Sequence, residues 1–207
     1  MKRLFDITVS ALALVLLWPL FLCTACLIKL DSPGPVFYRQ TRVGRHGKPF
    51  TLYKFRSMHT GAERQGLSLT VDYERKPDPR VTRLGISLRR TKWDEMPQLW
   101  NVLAGQMSLV GPRPEVPCYV ECYTPAQREV LSVRPGMTDP SSLKYRNESE
   151  LLAQGVRQTG WDADRYYRQV VLQHKLACSL AYLRSRSLGS DIRVIFHTIF
   201  LVFRRSK

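Results

Sequence analysis

The feature that most constrains this fold is an apolar run near the N-terminus, Ile7–Ile28, which continues for 22 positions without a charged residue. A helix needs about 20 apolar residues to cross a bilayer, so the run is long enough to do so. Lys29, Leu30 and Asp31 follow it in place of a small-residue cleavage site, which argues against a removed signal peptide. The run therefore predicts a helix that stays in a membrane.

Two properties of this run favour a re-entrant helix, which enters the membrane and returns to the same face. Pro19 lies deep inside the run and predicts a bend, because proline removes a backbone donor and clashes with the preceding turn. Basic residues stand on both sides, with Lys2 and Arg3 before the run and seven Lys or Arg after it up to Arg56. A crossing helix is expected to have one basic flank. An ordinary spanning helix that tolerates its proline stays open as the alternative.

The overall charge predicts a polyanionic partner. The chain has 32 Lys and Arg against 17 Asp and Glu, a net charge of +15, which suits nucleic acid, anionic lipid or phosphorylated small molecules. Hydrophobic residues make up 44 % of the chain, enough for a sizeable core. Five cysteines form no dense disulfide pattern, which favours a reducing compartment.

The remainder predicts an α+β fold that is mainly helical. Val36–Thr41 and Phe50–Arg56 read as two strands joined by a turn over Gly44–Pro49, which gives a small basic β-hairpin. Gly61–Pro79 and Gly105–Pro117 are rich in breakers and predict loops. Helices are predicted over Val81–Arg90, Trp93–Leu103, Glu121–Val133, Leu143–Gln154, Tyr166–Ser185 and Asp191–Phe203. The last of these is a basic amphipathic helix suited to an anionic membrane surface, or else a packed terminal helix with a solvated tail.

The densest candidate for chemistry is the adjacent pair of carboxylates Asp94 and Glu95, which follows a cluster of basic residues. No H-E-x-x-H, G-x-S-x-G or Walker motif occurs in the sequence. Thr91 fits a capping pattern with Asp94, and Pro97 is favoured near a helix start, so the pair is expected at a helix N-terminus. An ionised Asp there could ligate Mg²⁺ or attack phosphorus. A charged helix cap without catalytic function is the alternative.

A second candidate is Gly111–Pro114, in which Arg113 stands between Pro112 and Pro114. The prolines limit the backbone, so the arginine loses less freedom on binding, and its guanidinium matches a phosphate bidentately. A plain turn with a solvated arginine is the alternative. Further cations that could surround a pyrophosphate are Lys54, Arg56, Arg89 and Arg134.

Taken together, the motifs resemble the small monotopic phosphoglycosyl transferases, a family of bacterial sugar transferases that act on polyprenol phosphate. The resemblance covers nearly the whole chain from Lys2. The segments that carry it are Lys2–Asp6, Gly34–Phe37, Arg39–Gln40, Arg42–Gly44, Gly47–Phe50, Tyr53–Met58, Asp94–Glu95, Pro97–Leu103, Met107–Pro114 and Val133–Gly136.

The resemblance implies transfer of a phosphosugar from a UDP-sugar to undecaprenyl phosphate, with release of UMP and dependence on Mg²⁺. It assigns Asp94 as the nucleophile that carries a covalent phosphosugar and as a Mg²⁺ ligand, with Glu95 handling metal or protons. It assigns Arg113 to the nucleotide phosphate and Arg89 to positioning the acidic pair. It further implies a re-entrant helix over residues 1–30, kinked at Pro19, and a cytosolic catalytic domain over residues 31–207.

The same resemblance places the protein on the cytoplasmic face of a bacterial inner membrane, in the first membrane step of glycoconjugate assembly. Two segments depart from many relatives. Trp18 stands where a Ser often precedes the membrane proline, and Met137–Asn147 replaces a common continuation after the arginine. The second departure leaves the donor sugar open.

Two rival functions fit parts of the sequence. A membrane-tethered nucleic-acid or polyanion binder would use the +15 charge, but no recognisable binding motif is present, so no nucleic-acid partner is expected. A spanning scaffold protein with a basic cytosolic domain would predict that Asp94 is replaceable.

Overall fold

The computed structural model describes residues 1–62, 78–139, 141 and 148–205, and these are mostly helical with two small sheets. Most of the predicted loop over Gly61–Pro79 and the first residues of the predicted helix Leu143–Gln154 lie outside the described residues. The elements in chain order are α1 (Lys2–Asp31), β1 (Phe37–Val43), β2 (Pro49–Phe55), α2 (Arg83–Arg90), α3 (Gln98–Leu103), β3 (Ser108–Val110), α4 (Pro117–Val120), β4 (Gly136–Thr138), α5 (Glu148–Thr159), α6 (Ala163–Tyr166), α7 (Leu172–Ser185) and α8 (Leu188–Arg205).

Helix α1 contains the apolar run and, among the described residues, is the one helix long and apolar enough to cross a membrane. Its 30 residues continue through Pro19, and the predicted bend stays a prediction. Large apolar side chains in its middle, including Val15, Leu16 and Trp18, are more than half exposed. A face of this kind suits contact with lipid.

The first turns of α1 are held by polar contacts with the rest of the protein. Lys2 Nζ donates to the Val110 carbonyl at 3.1 Å, and Arg3 donates to two carbonyls at the end of α3. The carboxylate of Asp6, which is 3 % exposed, accepts from Ser108 Oγ at 2.8 Å and from the backbone N–H of the next residue in β3. These contacts join the start of α1 to β3 and α3.

The last turns of α1 are held by a different part of the same domain. Arg56 is buried at the end of β2, and its guanidinium donates to the carbonyls of Ile28, Ser32 and Pro33, which end the helix. Asp31 accepts from a backbone N–H of α2 at 3.3 Å. Apolar packing among Ile28, Phe55 and Leu88 completes this end. Both ends of α1 therefore contact the rest of the domain, the first turns at β3 and α3 and the last turns at α2 and Arg56.

The predicted β-hairpin is confirmed. Strands β1 and β2 pair antiparallel with Phe37 opposite Phe55 and Val43 opposite Pro49, and a 3₁₀ turn at Arg45–Gly47 joins them. A second, parallel pair of short strands was not predicted. In it β3 lies beside β4, with Ser108 opposite Gly136. The segment expected as the loop Gly105–Pro117 therefore contains a strand.

The predicted helices over Val81–Arg90, Tyr166–Ser185 and Asp191–Phe203 are confirmed as α2, as α6 and α7 joined by a π turn, and as α8. The predicted helix over Glu121–Val133 is wrong, because the chain there forms a 3₁₀ helix at Gln127–Ser132. Pro125 explains the difference, since proline disfavours helical backbone at the residue before it.

Candidate active site

The carboxylates Asp94 and Glu95 lie in a 3₁₀ turn, Trp93–Glu95, between α2 and α3. The turn is entered through Lys92, whose φ of 58° puts a non-glycine residue in the left-handed region. Such backbone costs about 1–3 kcal/mol and persists only where the surroundings fix it. The pair was predicted at the N-terminus of a helix within Trp93–Leu103, but it lies in this separate 3₁₀ turn, and α3 begins only at Gln98. Thr91 does not cap the turn. Its hydroxyl donates to carbonyls at the end of α2, at 2.9 and 3.2 Å.

Glu95 is paired with two cations that the sequence had assigned to phosphate binding. Lys54 Nζ, from β2, lies 2.7 Å from Glu95 Oε1, and Arg113 Nη2 lies 3.1 Å from the same oxygen. Burial alone would raise the pKa of Glu95, but Lys54 and Arg113 outweigh it and hold that pKa well below its usual range. Glu95 is therefore ionised at neutral pH.

Asp94 is buried beside this pair, with 6 % of its surface exposed, and its Oδ1 has no hydrogen-bond donor in the part of the chain that the structure describes. Burial and the neighbouring Glu95 raise its pKa, while Lys54, Lys92 and Arg89 act in the opposite direction. A buried carboxylate oxygen without a donor is costly unless a ligand completes it. The arrangement leaves one buried oxygen of Asp94 without a donor among the described residues.

The remaining predicted site residues divide into two groups. Arg89, in α2, donates to Ser57 Oγ at 3.0 Å and acts electrostatically on Asp94. Arg113 projects from a loop in which Pro112 and Pro114 are buried, and its side chain is 30 % exposed. Arg89 and Arg113 therefore join Lys54 around the acidic pair.

Arg56 and Arg134 make their contacts elsewhere. Arg56 donates to the carbonyls that end α1, and Arg134 Nε donates to the Gly105 carbonyl at 2.8 Å. Their assignment to a pyrophosphate stays a prediction, and the structure gives each of them a structural contact that the sequence did not indicate.

One contact of the site with the membrane helix was missed from the sequence. Trp93 Nε1, immediately before Asp94, donates to Thr24 Oγ1 of α1 at 2.9 Å. Thr24 is buried at 7 % exposure inside an otherwise apolar run. A hydroxyl in that run was the available signal, because its oxygen can accept a bond from another element while its proton bonds the Leu20 carbonyl of its own helix.

A metal would have to be held by few protein ligands. Within residues 1–62, 78–139, 141 and 148–205, no group of three or more His, Cys, Asp or Glu side chains is arranged to hold a metal ion. Mg²⁺ commonly uses one or two carboxylates and completes its shell with water and substrate phosphates. Asp94 Oδ1, a buried carboxylate oxygen without a donor among the described residues, fits that donor set.

Comparison with known proteins identifies the family of this chain. The family model of the bacterial sugar transferases matches residues 1–205. The chain is 39 % identical over 218 residues to the exopolysaccharide production protein PSS of Rhizobium leguminosarum bv. phaseoli, covering 100 % of this chain and 97 % of that protein.

Two longer relatives carry names that state an activity. The chain is 37 % identical over 207 residues to the UDP-glucose:undecaprenyl-phosphate glucose-1-phosphate transferase of Escherichia coli K12, covering 98 % of this chain and 40 % of that protein. It is 37 % identical over 204 residues to the UDP-N-acetylgalactosamine-undecaprenyl-phosphate N-acetylgalactosaminephosphotransferase of Aeromonas hydrophila, covering 96 % of this chain and 42 % of that protein. With a match over nearly its whole length, this chain belongs to the bacterial sugar transferase family.

Proposed function

We propose that this protein transfers a sugar 1-phosphate from a UDP-sugar to undecaprenyl phosphate and releases UMP. Relatives of this chain are named for that reaction with glucose and with N-acetylgalactosamine. The observation that carries the proposal is the buried Asp94, whose Oδ1 lacks a donor among the residues that the structure describes, while Lys54, Lys92 and Arg89 supply positive charge around it. That combination suits attack on a phosphorus whose oxygens bear negative charge.

The proposed reaction has two displacements at one phosphorus. In the first, a carboxylate oxygen of Asp94 donates an electron pair to the sugar-side phosphorus and forms a P–O bond, while the bond from that phosphorus to the bridging oxygen breaks and UMP leaves with the pair. In the second, a phosphate oxygen of undecaprenyl phosphate attacks the same phosphorus, and the bond to Asp94 breaks. The carboxylate is regenerated, so atoms and charges balance over the two steps.

The other site residues have separate roles in this scheme. Arg113 contacts the nucleotide phosphate, and its partial exposure leaves guanidinium donors within reach of a ligand. Glu95 pairs with both Lys54 and Arg113, and Lys54 adds positive charge near Asp94. Asp94 Oδ1 would hold Mg²⁺ together with phosphate oxygens of the donor. A bound Mg²⁺ supplies charge neutralisation on the phosphoryl oxygens.

We also propose that α1 is re-entrant and that the catalytic body lies on the cytoplasmic face of the inner membrane. A 30-residue helix is about 45 Å long, more than the roughly 30 Å of bilayer hydrocarbon. Its first turn bonds to β3 and α3, and its last turns bond to α2 and Arg56. A helix that crossed the bilayer would separate these two sets of contacts, so their coexistence supports a helix that enters and leaves by one face.

Topology reporters on the full-length protein check this placement. We expect a reporter at the N-terminus and one at the C-terminus both to be cytoplasmic, because the same body holds both ends of α1. Protease protection in sealed inner-membrane vesicles of known orientation measures each position. A periplasmic N-terminus with a cytoplasmic C-terminus would contradict the proposal and support a spanning helix.

The activity is tested by UMP release from a panel of UDP-sugars, with undecaprenyl phosphate and Mg²⁺ present. We expect UMP from at least one donor, at a rate that depends on the lipid acceptor and falls when the divalent cation is chelated. The panel includes UDP-glucose and UDP-N-acetylgalactosamine, the donors in the relatives' names. Salt-sensitive binding to polyanions without UMP release from any donor would favour the rival binding function.

A further inference from the structure

A group of buried charged and polar side chains lies directly behind the Pro112–Arg113–Pro114 loop. Its centre is Glu115, which is 7 % exposed. Glu115 Oε1 accepts from the hydroxyl of Tyr167 at 2.9 Å, and Lys175 Nζ lies 3.2 Å from that hydroxyl and 3.7 Å from Glu115. Arg42 Nη1 lies 3.7 Å from the other carboxylate oxygen. We name these four residues the Glu115 network.

The network is bonded to the backbone of the loop that presents Arg113. Arg42 Nη1 donates to the Pro114 carbonyl at 2.9 Å, and the Val43 N–H donates to the Glu115 carbonyl at 3.0 Å. On the other side of the loop, the Gly136 N–H donates to the Pro112 carbonyl at 2.8 Å. The backbone is therefore fixed on both sides of Arg113.

The side chains of the loop and the network also face one cavity. Arg113, Glu115 and Lys175 line a narrow cavity together with the buried carboxyl of Asp139. Arg113 thus contacts Glu95 of the site while also bordering the cavity next to the network. Only Pro114 separates Glu115 from Arg113 in the chain. A displacement of the Glu115 backbone would therefore displace Arg113 without movement of any other element.

The Glu115 network is a costly way to stabilise a protein core, which favours a role other than stability. Burying an ion pair costs desolvation that its attraction often fails to recover, and replacing such pairs by apolar side chains of similar size is often neutral or stabilising. Buried, hydrogen-bonded charges instead favour one arrangement of the chain over others. Here the arrangement that they favour is that of the loop carrying Arg113.

We infer that Glu115, held by Tyr167, Lys175 and Arg42, is a positioning residue that sets Arg113 for the diphosphate of the nucleotide donor. The inference rests on the proposed function, because that function assigns Arg113 to the nucleotide phosphate. Weakening the network moves Arg113 and so lowers nucleotide affinity, while Asp94 keeps its own surroundings.

The test is a double-mutant cycle on UDP binding to the full-length protein in detergent, measured by titration calorimetry. We expect Glu115→Gln and Tyr167→Phe each to weaken UDP roughly tenfold, as for loss of a hydrogen bond to a charged group. In an Arg113→Ala background, either change should add less than about twofold, because the residue that they position is gone. The donor KM should rise in the single variants, with kcat changed by less than about threefold.

A matched tyrosine supplies the control. Tyr119 lies in the same hydrophobic cluster with its ring 4.7 Å from that of Tyr167, and its hydroxyl donates to Asp164 at 3.0 Å rather than to Glu115. Tyr119→Phe should leave UDP affinity within about twofold. Thermal unfolding of each variant identifies general destabilisation, and Tyr167→Phe keeps the ring packing if Glu115→Gln fails to fold.

Equal losses of UDP affinity with and without Arg113, or no loss in either network variant, would overturn the positioning role while wild-type turnover stays intact. Equal losses in Tyr119→Phe and Tyr167→Phe would also overturn it. A wild-type protein that binds no UDP and releases no UMP from any UDP-sugar would overturn the proposed function and the inference together.

Discussion

Replacing Asp94 by Asn is expected to lower UMP release by on the order of 10³-fold or more. The amide has nearly the same shape, so the buried turn between Trp93 and Glu95 can be kept, but its oxygen is a poor nucleophile. Wild-type protein mixed with labelled donor and no lipid acceptor should carry a phosphosugar on Asp94, detectable by intact-mass spectrometry. The Asn variant should carry none.

Asp164→Asn is the control for this substitution. Asp164 lies in α6, is half exposed on its side chain and pairs with Arg168, so its loss should change turnover by less than about twofold. Unimpaired turnover in Asp94→Asn would rule out Asp94 as the nucleophile. A labelled adduct that forms on another residue at the rate of product formation would do the same.

Replacing Lys54 by Met is expected to lower activity by on the order of 10²-fold at neutral pH. Lys54 Nζ lies 2.7 Å from Glu95 Oε1 and is the largest single charge acting to lower the pKa of either carboxylate. Without it, two adjacent buried carboxylates face each other with less positive charge, and the pKa of Asp94 rises further. Less of Asp94 is then ionised and able to attack.

The loss of activity in Lys54→Met should depend on pH. Attack needs the carboxylate, so the rate falls as the pH falls through the pKa of Asp94, and a higher pKa moves that decline to higher pH. Lys54→Met should therefore lose most activity at acidic pH and recover part of it at alkaline pH. Lys54→Arg keeps the positive charge, so the acid limb of its pH–rate profile should stay near that of wild type. Lys48 is exposed between β1 and β2, and Lys48→Met should behave as wild type. An unmoved acid limb in Lys54→Met would contradict the role given to Lys54.

The sequence predicted those parts of the protein whose signals are local. Alternating residues around the glycine-rich turn at 44–49 gave the hairpin, and apolar spacing from Val81 gave α2. The Asp94–Glu95 pair and Arg113 were identified as candidates from residue type and neighbours, and the structure places them together. Their catalytic roles remain predictions.

The parts that were missed depend on partners far away in the chain. Strands β3 and β4 have three residues each and pair across more than 20 intervening positions, so neither carries a periodic signal of its own. Lys54 and Arg56 look alike in the sequence as basic residues two positions apart, yet Arg56 bonds the end of α1 and Lys54 pairs with Glu95. Residue type alone could not predict which of the two side chains makes which contact.

The attachment of α1 at both ends has a consequence for how this protein can be handled. The side chains of Phe5, Val9 and Leu14 pack against a core cluster that contains Leu99, Val102 and Leu109. Deleting the first 30 residues would expose this cluster to solvent. Helix α1 therefore covers part of the hydrophobic core of the catalytic domain, in addition to contacting lipid. A soluble enzyme obtained by simple truncation is therefore not expected, and purification should keep the chain whole in detergent or lipid.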